Sequence, residues 1–220
     1  MSNLSLEAFD KAPLQHDPCD FVMVPEIVRP EMIDAVNQDY PQIDEPGNFK
    51  PDDLSYGPAF ASMLEELYSP VLKQKYIEKF GLDISDNPLQ ITIRKYSELS
   101  DGNAHNYSKG KIITTLIYFN DEWKDDAGRL RLLCSSWDIN DYSAEVVPEK
   151  GTLIAFRRSE RSFHGFKRFE GERRSLQMYY VKPKREHKDD DERLTIKRRP
   201  KRLFKHRPRF EQGTPYHRQQ

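Results

Sequence analysis

Hydrophobic positions change their spacing near residue 89, and this change divides the chain into a helical part and a strand-rich part. Before residue 89, apolar residues recur three and four positions apart, which is typical of helices that bury one face. A short apolar run at residues 21–24 predicts a strand. Helices are predicted from Pro30 onward, over residues 60–68 and over residues 71–80. We expect these helices to pack on one face of a sheet.

After residue 89 the apolar segments are short, rich in Ile, Val, Thr, Tyr and Phe, and separated by turn formers such as Asp101-Gly102-Asn103. Seven strands are predicted, over residues 89–96, 111–119, 129–134, 144–147, 151–156, 163–169 and 173–181. Short strands at this spacing favour a sandwich or jelly roll. The pattern therefore predicts an α+β fold in which N-terminal helices pack on one sheet of a β core.

The length of 220 residues suits one domain with a full hydrophobic core. Residues 1–19 are polar and interrupted by prolines, which predicts an irregular lead-in. The single domain is predicted over residues 20–181, with a helical part at 20–88 and the β core at 89–181. Residues 182–220 are predicted to form a basic, partly ordered tail.

The net charge of −1 hides an uneven distribution of charge along the chain. Residues 182–220 hold 14 Lys and Arg against 6 Asp and Glu, whereas residues 1–181 hold 21 against 30. Clustered basic residues bind phosphates, which makes nucleic acid or an anionic surface a conceivable partner of the tail. The acids within the tail and the acidic body disfavour that interpretation, so nucleic acid is not an expected partner. The pattern does not indicate an oligomeric state.

The chain has two cysteines, Cys19 and Cys134, which are too few and too far apart to indicate a disulfide framework or a zinc site. No apolar run approaches the ~20 residues that cross a bilayer. The first residues show neither a basic region nor a hydrophobic signal core. We expect a soluble cytoplasmic protein with reduced thiols and no membrane partner.

Two histidines bracket several of the predicted strands of the β core. His105 begins His105-Asn106-Tyr107, and His164 lies in Ser162-Phe163-His164-Gly165. Residues two apart in an extended segment share a face, so the side chains of His105 and Tyr107 can reach the same cavity. Two imidazoles in one cavity are suited to holding a transition metal.

The last predicted strand separates a polar face from an apolar one. Arg173, Ser175, Gln177 and Tyr179 form the polar face, which suits the inside of a ligand-binding roll. The alternate residues suit packing against the helices. A register shifted by one residue would exchange Arg173 for Arg174.

Three further runs complete the pattern: Tyr118-Phe119-Asn120-Asp121-Glu122-Trp123, Gly128-Arg129-Leu130-Arg131-Leu132 and Pro148-Glu149-Lys150-Gly151-Thr152-Leu153-Ile154-Ala155-Phe156. With the histidines and the arginine, their order resembles the iron(II)- and 2-oxoglutarate-dependent dioxygenases, closest to the prolyl-hydroxylase-like branch. The resemblance covers residues 89–181. It implies a double-stranded β-helix, or jelly roll, with Fe(II), 2-oxoglutarate as co-substrate and dioxygen.

The resemblance also implies roles for individual residues. His105 and His164 would be iron ligands. Arg173, assisted by Ser175, would bind the distal carboxylate of 2-oxoglutarate, for which a guanidinium group is well shaped. Tyr118 matches a tyrosine that donates to the same carboxylate, and Tyr96 occupies a position where the branch often has a pocket tyrosine. Either tyrosine could instead belong to the core.

Tyr107 departs from the family, which has His-x-Asp at the first motif. Three alternatives remain open at this ligand position. A Tyr107 phenolate could bind the metal, a water or chloride could take the position, or the site could hold no metal. The predicted function is a hydroxylase-type oxygenase with an atypical metal site, and the alternative is a catalytically inactive, dioxygenase-like binding module. The sequence does not indicate whether the substrate is a small molecule or peptidyl.

Overall fold

The computed structural model describes residues 2–183. The predicted basic tail therefore lies, from residue 184 onward, outside the described residues. Within this range there are four α-helices, α1 Leu6–Lys11, α2 Pro30–Gln38, α3 Pro58–Leu67 and α4 Pro70–Phe80, with a 3-10 turn at Pro51–Asp53. The strands are β1 Phe21–Val24, β2 Leu89–Ser97, β3 Lys111–Tyr118, β4 Leu130–Leu133, β5 Tyr142–Val146, β6 Leu153–Arg157, β7 His164–Gly165 and β8 Gly171–Val181.

The N-terminal segment corrects one prediction. Residues 1–19 were predicted to be irregular, but Leu6–Lys11 form a helix in which the side-chain oxygen of Ser5 accepts a hydrogen bond from the Ala8 amide. Phe9 is fully buried in the main hydrophobic cluster. Only one turn and a half of helix is formed, which is too short for its apolar spacing to be recognised among polar residues.

The other helices begin and end where local chemistry predicts. Proline occupies the first position of α2, α3 and α4, where its missing amide hydrogen would have no partner within the helix. The side chain of Ser69 accepts from the Leu72 amide and caps α4. Gly81 ends that helix with a φ of 61°, a left-handed conformation that glycine adopts without strain.

The strands form two antiparallel sheets. One has five strands in the order β1-β6-β3-β8-β2, and the other has three in the order β5-β4-β7. Strand β7 is much shorter than the predicted 163–169, because only His164 and Gly165 pair with β4. The mixed α+β class is confirmed.

The helices pack on one face of the five-stranded sheet, as predicted. Leu176, Met178 and Tyr180 of β8 lie in the same buried cluster as residues from all four helices. The ring centroids of Tyr76 and Tyr180 are 5.4 Å apart, and the Tyr76 hydroxyl lies 2.9 Å from the Thr115 hydroxyl. A second, smaller cluster occupies part of the space between the two sheets. Within residues 2–183, no helix has the length and apolar character that a membrane span requires.

Candidate active site

A cavity of about 360 Å³ lies between the two sheets. Its wall is formed by β2, β3 and β8 from the large sheet and by β4, β7 and two loops from the other side. The lining includes Gln90, Thr92, Arg94, His105, Tyr107, Lys111, His164, Arg173, Gln177 and Tyr179. The polar face predicted for the last strand therefore does face this cavity at Arg173, Gln177 and Tyr179.

His105 and His164 are held together by the backbone. The two residues form an antiparallel bridge in which each amide donates to the other's carbonyl, at 3.0 and 2.9 Å. Their ring centroids are 4.3 Å apart. Gly165 lets the loop that precedes His105 pass close to β7, because a Cβ at this position would lie 2.7 Å from the Gly102 carbonyl oxygen. The structure thus brings the two predicted ligands side by side.

Both imidazoles use the same nitrogen, Nδ1, to contact a backbone carbonyl. Nδ1 of His105 lies 2.8 Å from the Asn103 carbonyl oxygen, and Nδ1 of His164 lies 2.9 Å from the Ser162 carbonyl oxygen. A carbonyl oxygen only accepts, so Nδ1 carries the proton in each ring and Nε2 keeps its lone pair. Nε2 of His164 is buried and has no hydrogen-bond partner among the described residues. An unpaired buried acceptor of this kind is suited to a metal ion.

The surroundings keep both rings neutral. Burial, followed by the neighbouring His105, lowers the pKa of His164 to about 3. His105 has exposed surface, yet desolvation of its ring, followed by the charge of Lys111, also lowers its pKa. Neutral imidazole is the form that binds metals.

Tyr107 packs directly against this pair. Its ring centroid lies 4.4 Å from that of His164 and 5.3 Å from that of His105. The hydroxyl of Tyr107 hydrogen-bonds to Tyr179, whose own hydroxyl donates to the Gln177 side-chain oxygen. Burial is the first cause that raises the pKa of Tyr107 well above its ordinary value, and Tyr179 adds to it. The residue at the expected carboxylate position is therefore a neutral phenol.

Lys111 lies between two of these aromatic rings. Its Nζ is 3.8 Å from the ring centroid of Tyr107 and 3.6 Å from that of Tyr179. An ammonium group over an aromatic face is attracted by the ring electrons. The ammonium group of Lys111 therefore lies against the ring at the position where the sequence resemblance predicts a carboxylate.

Arg173 is one of the largest fully buried side chains, with only 2% of its surface exposed. Its Nε donates to the Gly128 carbonyl oxygen at 2.7 Å, and Nη2 donates to the Tyr118 hydroxyl at 3.3 Å. Burial lowers the pKa of Arg173, although a guanidinium group remains charged in proteins. A buried positive charge at a cavity wall is suited to an anionic ligand.

The alternative register of the last strand is settled by Arg174. Its Nη1 donates to the Asn37 side-chain oxygen of α2 at 2.8 Å, and its guanidinium lies over the Tyr40 ring. Arg174 therefore faces the helical layer, whereas Arg173 faces the cavity.

The remaining predicted residues differ in how close they lie to the cavity. Tyr118 and Ser175 are fully buried partners across β3 and β8, and neither belongs to the cavity lining. The hydroxyl of Ser175 has no hydrogen-bond partner among the described residues. Tyr96 lies outside the lining, beyond a register shift in β2, with Lys95 over its ring. The structure thus joins Tyr118 to the site through Arg173 and does not bring Tyr96 to it.

The donor set fits iron through two nitrogen ligands only. His105 and His164 have the right tautomer, protonation state and proximity. Within residues 2–183, no group of three or more His, Cys, Asp or Glu side chains is arranged to hold a metal ion. The residues present would therefore hold iron with two imidazoles and without an anionic protein oxygen.

Sequence reasoning missed several residues of this site. Arg94 lines the cavity and forms an ion pair with Asp101, a residue of the loop after β2. The alternation of residues along β2 could have indicated Arg94, because Gln90, Thr92 and Arg94 share one face and pair with the inward-facing residues of β8. The approach of Lys111 to Tyr107 had no comparable signal, since it depends on a turn between them.

Comparisons with known proteins agree with this geometry. Residues 93–181 match the model of the 2OG-Fe(II) oxygenase superfamily. A search of curated protein sequences finds no match. Similar structures include a Pseudomonas putida prolyl-4-hydroxylase, at 14% identity and a TM-score of 0.54, over 80% of this chain and 90% of the other.

A second similar structure is a Trichoplax adhaerens prolyl hydroxylase in complex with a hypoxia inducible factor oxygen degradation domain peptide fragment. It is 14% identical with a TM-score of 0.52, over 90% of this chain and 92% of the other. At this level of identity the two likenesses establish a shared fold.

Proposed function

We propose that the chain, whose residues 93–181 match the model of the 2OG-Fe(II) oxygenase superfamily, is an iron(II)- and 2-oxoglutarate-dependent oxygenase of the hydroxylase type, built on a double-stranded β-helix. The observation that supports this function most directly is the pair of neutral imidazoles that share a cavity with the buried Arg173. Bound iron would supply oxygen activation coupled to oxidative decarboxylation of 2-oxoglutarate to succinate, as the superfamily implies.

Each residue of the cavity has a distinct task in this proposal. The Nε2 atoms of His105 and His164 bind the iron, and the carbonyl oxygens of Asn103 and Ser162 hold the rings in the required tautomer. Arg173 binds the distal carboxylate of 2-oxoglutarate. Burial strengthens this charge-assisted contact, because water cannot compete for the guanidinium group.

Tyr118 and Ser175 support Arg173. The hydroxyl of Tyr118 accepts from Arg173, so its own proton is available for a carboxylate oxygen. Ser175 contributes a second buried hydroxyl without a partner among the described residues. We assign no task to Tyr96, because its ring is not part of the cavity wall.

Tyr107 makes the metal site atypical. A neutral phenol is a weaker ligand than a carboxylate, so the proposal includes weaker iron binding than a full facial triad gives. The polar wall at Gln90, Thr92 and Gln177 favours a polar substrate, and the geometry favours neither a small molecule nor a peptidyl residue.

Iron analysis and anaerobic titration with 2-oxoglutarate test this function. The full chain is loaded with Fe(II), and the metal-to-2-oxoglutarate charge-transfer absorption is recorded as 2-oxoglutarate is added. We expect bound iron, a saturable absorption band and slow succinate formation in air. A His164→Ala variant should lose all three. Absence of iron and of the band from the parent chain would refute the proposal.

A catalytically inactive binding module is the second candidate, and Tyr107 is the observation that favours it. Its phenol is neutral, its hydroxyl is engaged by Tyr179, and a lysine ammonium lies over its ring. The comparison of the parent with Tyr107→Asp separates the two candidates. Succinate formation by both chains supports the oxygenase, whereas formation by the variant alone supports the binding module.

A further inference from the structure

We propose that the cavity binds the carboxylate group of an acidic substrate at Lys111, at an anion position separate from the one assigned to Arg173. The inference deepens the proposed function, because it names the chemical class of the substrate. It rests on that function for the role of the ligand as a substrate. The binding itself uses an ammonium group of the chain and needs no metal.

The first support is the charge of the cavity wall. Its described lining contains three basic residues, Arg94, Lys111 and Arg173, and a single acidic one, Asp101. Asp101 forms an ion pair with Arg94. The two histidines of the lining are neutral, because desolvation lowers the pKa of each ring. A surplus of two positive charges therefore faces the cavity, and negative charge on a ligand offsets it.

The second support is the separation between Lys111 and Arg173. Tyr179 and Arg173 are both residues of β8, six positions apart, and Lys111 lies over the Tyr179 ring. Six residues of extended strand cover roughly 20 Å. The Arg173 guanidinium is held at its own end by Gly128 and Tyr118. An anion at Lys111 is therefore a second anion, distinct from the one proposed at Arg173.

The third support is the position of the Lys111 ammonium group. The rings of Tyr107 and Tyr179, at 3.8 and 3.6 Å, hold the side chain in place. After burial, the charge of Lys111 contributes to lowering the pKa of both His105 and His164, so the group faces the part of the cavity that the histidines line. An ammonium group is a compact charge with three hydrogen-bond donors, which suits a carboxylate oxygen.

The fourth support is access from solvent at this end of the cavity. Gln90 and His105 belong to the lining and are exposed. Gln90 pairs with Tyr179 across β2 and β8, next to the ring that Lys111 covers. The side-chain amides of Gln90 and Gln177 can donate to a second carboxylate oxygen. An ammonium group beside two amides favours a carboxylate over a neutral polar group.

Titration of the metal-free chain with matched probes tests the inference. The full chain is treated with a chelator, and binding is followed by ligand-observed NMR. One pair of probes is butyrate and butyramide, which represent a small acid. The other is the α-amide of N-acetylglutamate and that of N-acetylglutamine, which represent an acidic peptide side chain.

We expect the anionic member of at least one pair to bind at least about tenfold more tightly than its neutral counterpart, and to bind less tightly as the salt concentration rises. The pair that shows this difference identifies the source of the carboxylate. Equal binding within both pairs, or no binding of either anionic probe, would overturn the inference.

Variants locate the bound anion. Lys111→Met keeps the apolar stem over the rings and removes the charge, so it should weaken binding of the anionic probe by about tenfold or more. Lys111→Arg should retain binding. Lys109→Met changes an exposed residue outside the lining and is the matched control, with no expected effect. Loss of binding in Arg173→Met without loss in Lys111→Met would place the anion at the other end of the cavity and overturn the inference.

Failure of this inference is distinguishable from failure of the proposed function, because the titrations contain no metal. A chain that binds iron and 2-oxoglutarate but no anionic probe would overturn the inference alone. A chain that binds the probe through Lys111 but takes up no iron would refute the oxygenase and keep the carboxylate site. A chain that binds neither would overturn both.

Discussion

The Nε2 atom of His164 is buried without a hydrogen-bond partner among the described residues, and the ring of Tyr107 packs against the imidazole with a centroid separation of 4.4 Å. The two residues come from different parts of the β core and meet because His105 pairs with His164 through the backbone. The fold therefore holds the two imidazoles side by side, and in the proposed metal site the third ligand position would carry a neutral phenol. A tyrosine rather than an aspartate at position 107 is therefore expected to change the affinity for metal and not the architecture of the fold.

Tyr107→Asp should tighten Fe(II) binding by at least about tenfold, because even outer-shell partners of metal ligands change affinity by roughly 10- to 100-fold. The carboxylate supplies the missing anionic oxygen beside two imidazoles already in the correct tautomer. Competition with a metal-sensitive dye measures the change. Tyr107→Asn is the matched control, since it has a similar shape to Asp without the charge. Equal gains in Tyr107→Asp and Tyr107→Asn would show that relief of crowding, not charge, is responsible.

Arg173→Lys should weaken 2-oxoglutarate binding by about tenfold to a hundredfold, since hydrogen bonds to charged groups contribute roughly 1.5–3 kcal/mol. Lysine keeps the charge but loses the planar fork that contacts Gly128 and Tyr118 at the same time. Isothermal titration with 2-oxoglutarate measures the effect. Arg174→Lys is the control, because Arg174 faces α2. A comparable loss in that variant would assign the effect to strand stability rather than to ligand contact.

His164 should make the folded chain less stable as the pH falls. Its pKa is about 3 in the folded state, because burial disfavours the charged ring, and it is ordinary in the unfolded chain. Below its unfolded pKa of about 6.5, the unfolded state binds a proton that the folded state does not. Its stability contribution is therefore complete above about pH 6.5 and decreases toward pH 3 at up to about 1.4 kcal/mol per pH unit.

Chemical denaturation of the metal-free chain between neutral and mildly acidic pH measures this dependence. His164→Gln removes the titrating group and keeps a polar side chain of similar reach, so the free energy of unfolding should fall less steeply with acid. Parallel curves for the parent and the variant would show that His164 does not control the acid sensitivity. His105, whose pKa is also lowered, should contribute in the same direction.

Most of the fold could be predicted because its signals are local. The prolines that begin α2, α3 and α4 and the glycine that ends α4 act within a few residues. The alternation along β8 likewise separates the cavity face from the helical face. The short helix α1 and the short length of β7 were not predicted, because both depend on contacts between residues that are far apart in the sequence.

Three central residues of the site were predictable, whereas other lining residues and the interactions within the site were not. His105, His164 and Arg173 do converge on one cavity. The hydrogen bond between Tyr107 and Tyr179 and the position of Lys111 arise from the turn between β2 and β3, which has no periodic pattern. Tyr96 was predicted to belong to the site but does not line the cavity, because a register shift in β2 moves it off the face that strict alternation predicts.

Asn120→Ala should lower the free energy of unfolding by roughly 2–3 kcal/mol, because an unsatisfied buried polar group costs about 1–3 kcal/mol. The side chain joins the end of β3 to its neighbours. Its Nδ2 donates to the carbonyl oxygens of Pro148 and Arg174, and its Oδ1 accepts from the Arg174 amide. Since Arg174 follows Arg173 directly, 2-oxoglutarate affinity should also fall, although Asn120 lies outside the cavity lining.

Glu122→Ala, which changes an exposed side chain of the same loop, is the control and should change stability by less than about 0.5 kcal/mol. Thermal and chemical denaturation of the two variants measures their stability, and titration of the folded variants with 2-oxoglutarate measures their affinity. Together the two measurements test whether the Asn120 side chain stabilises the end of β3. A loss of stability as small as that of Glu122→Ala would show that the Asn120 side chain does not stabilise this part of the fold.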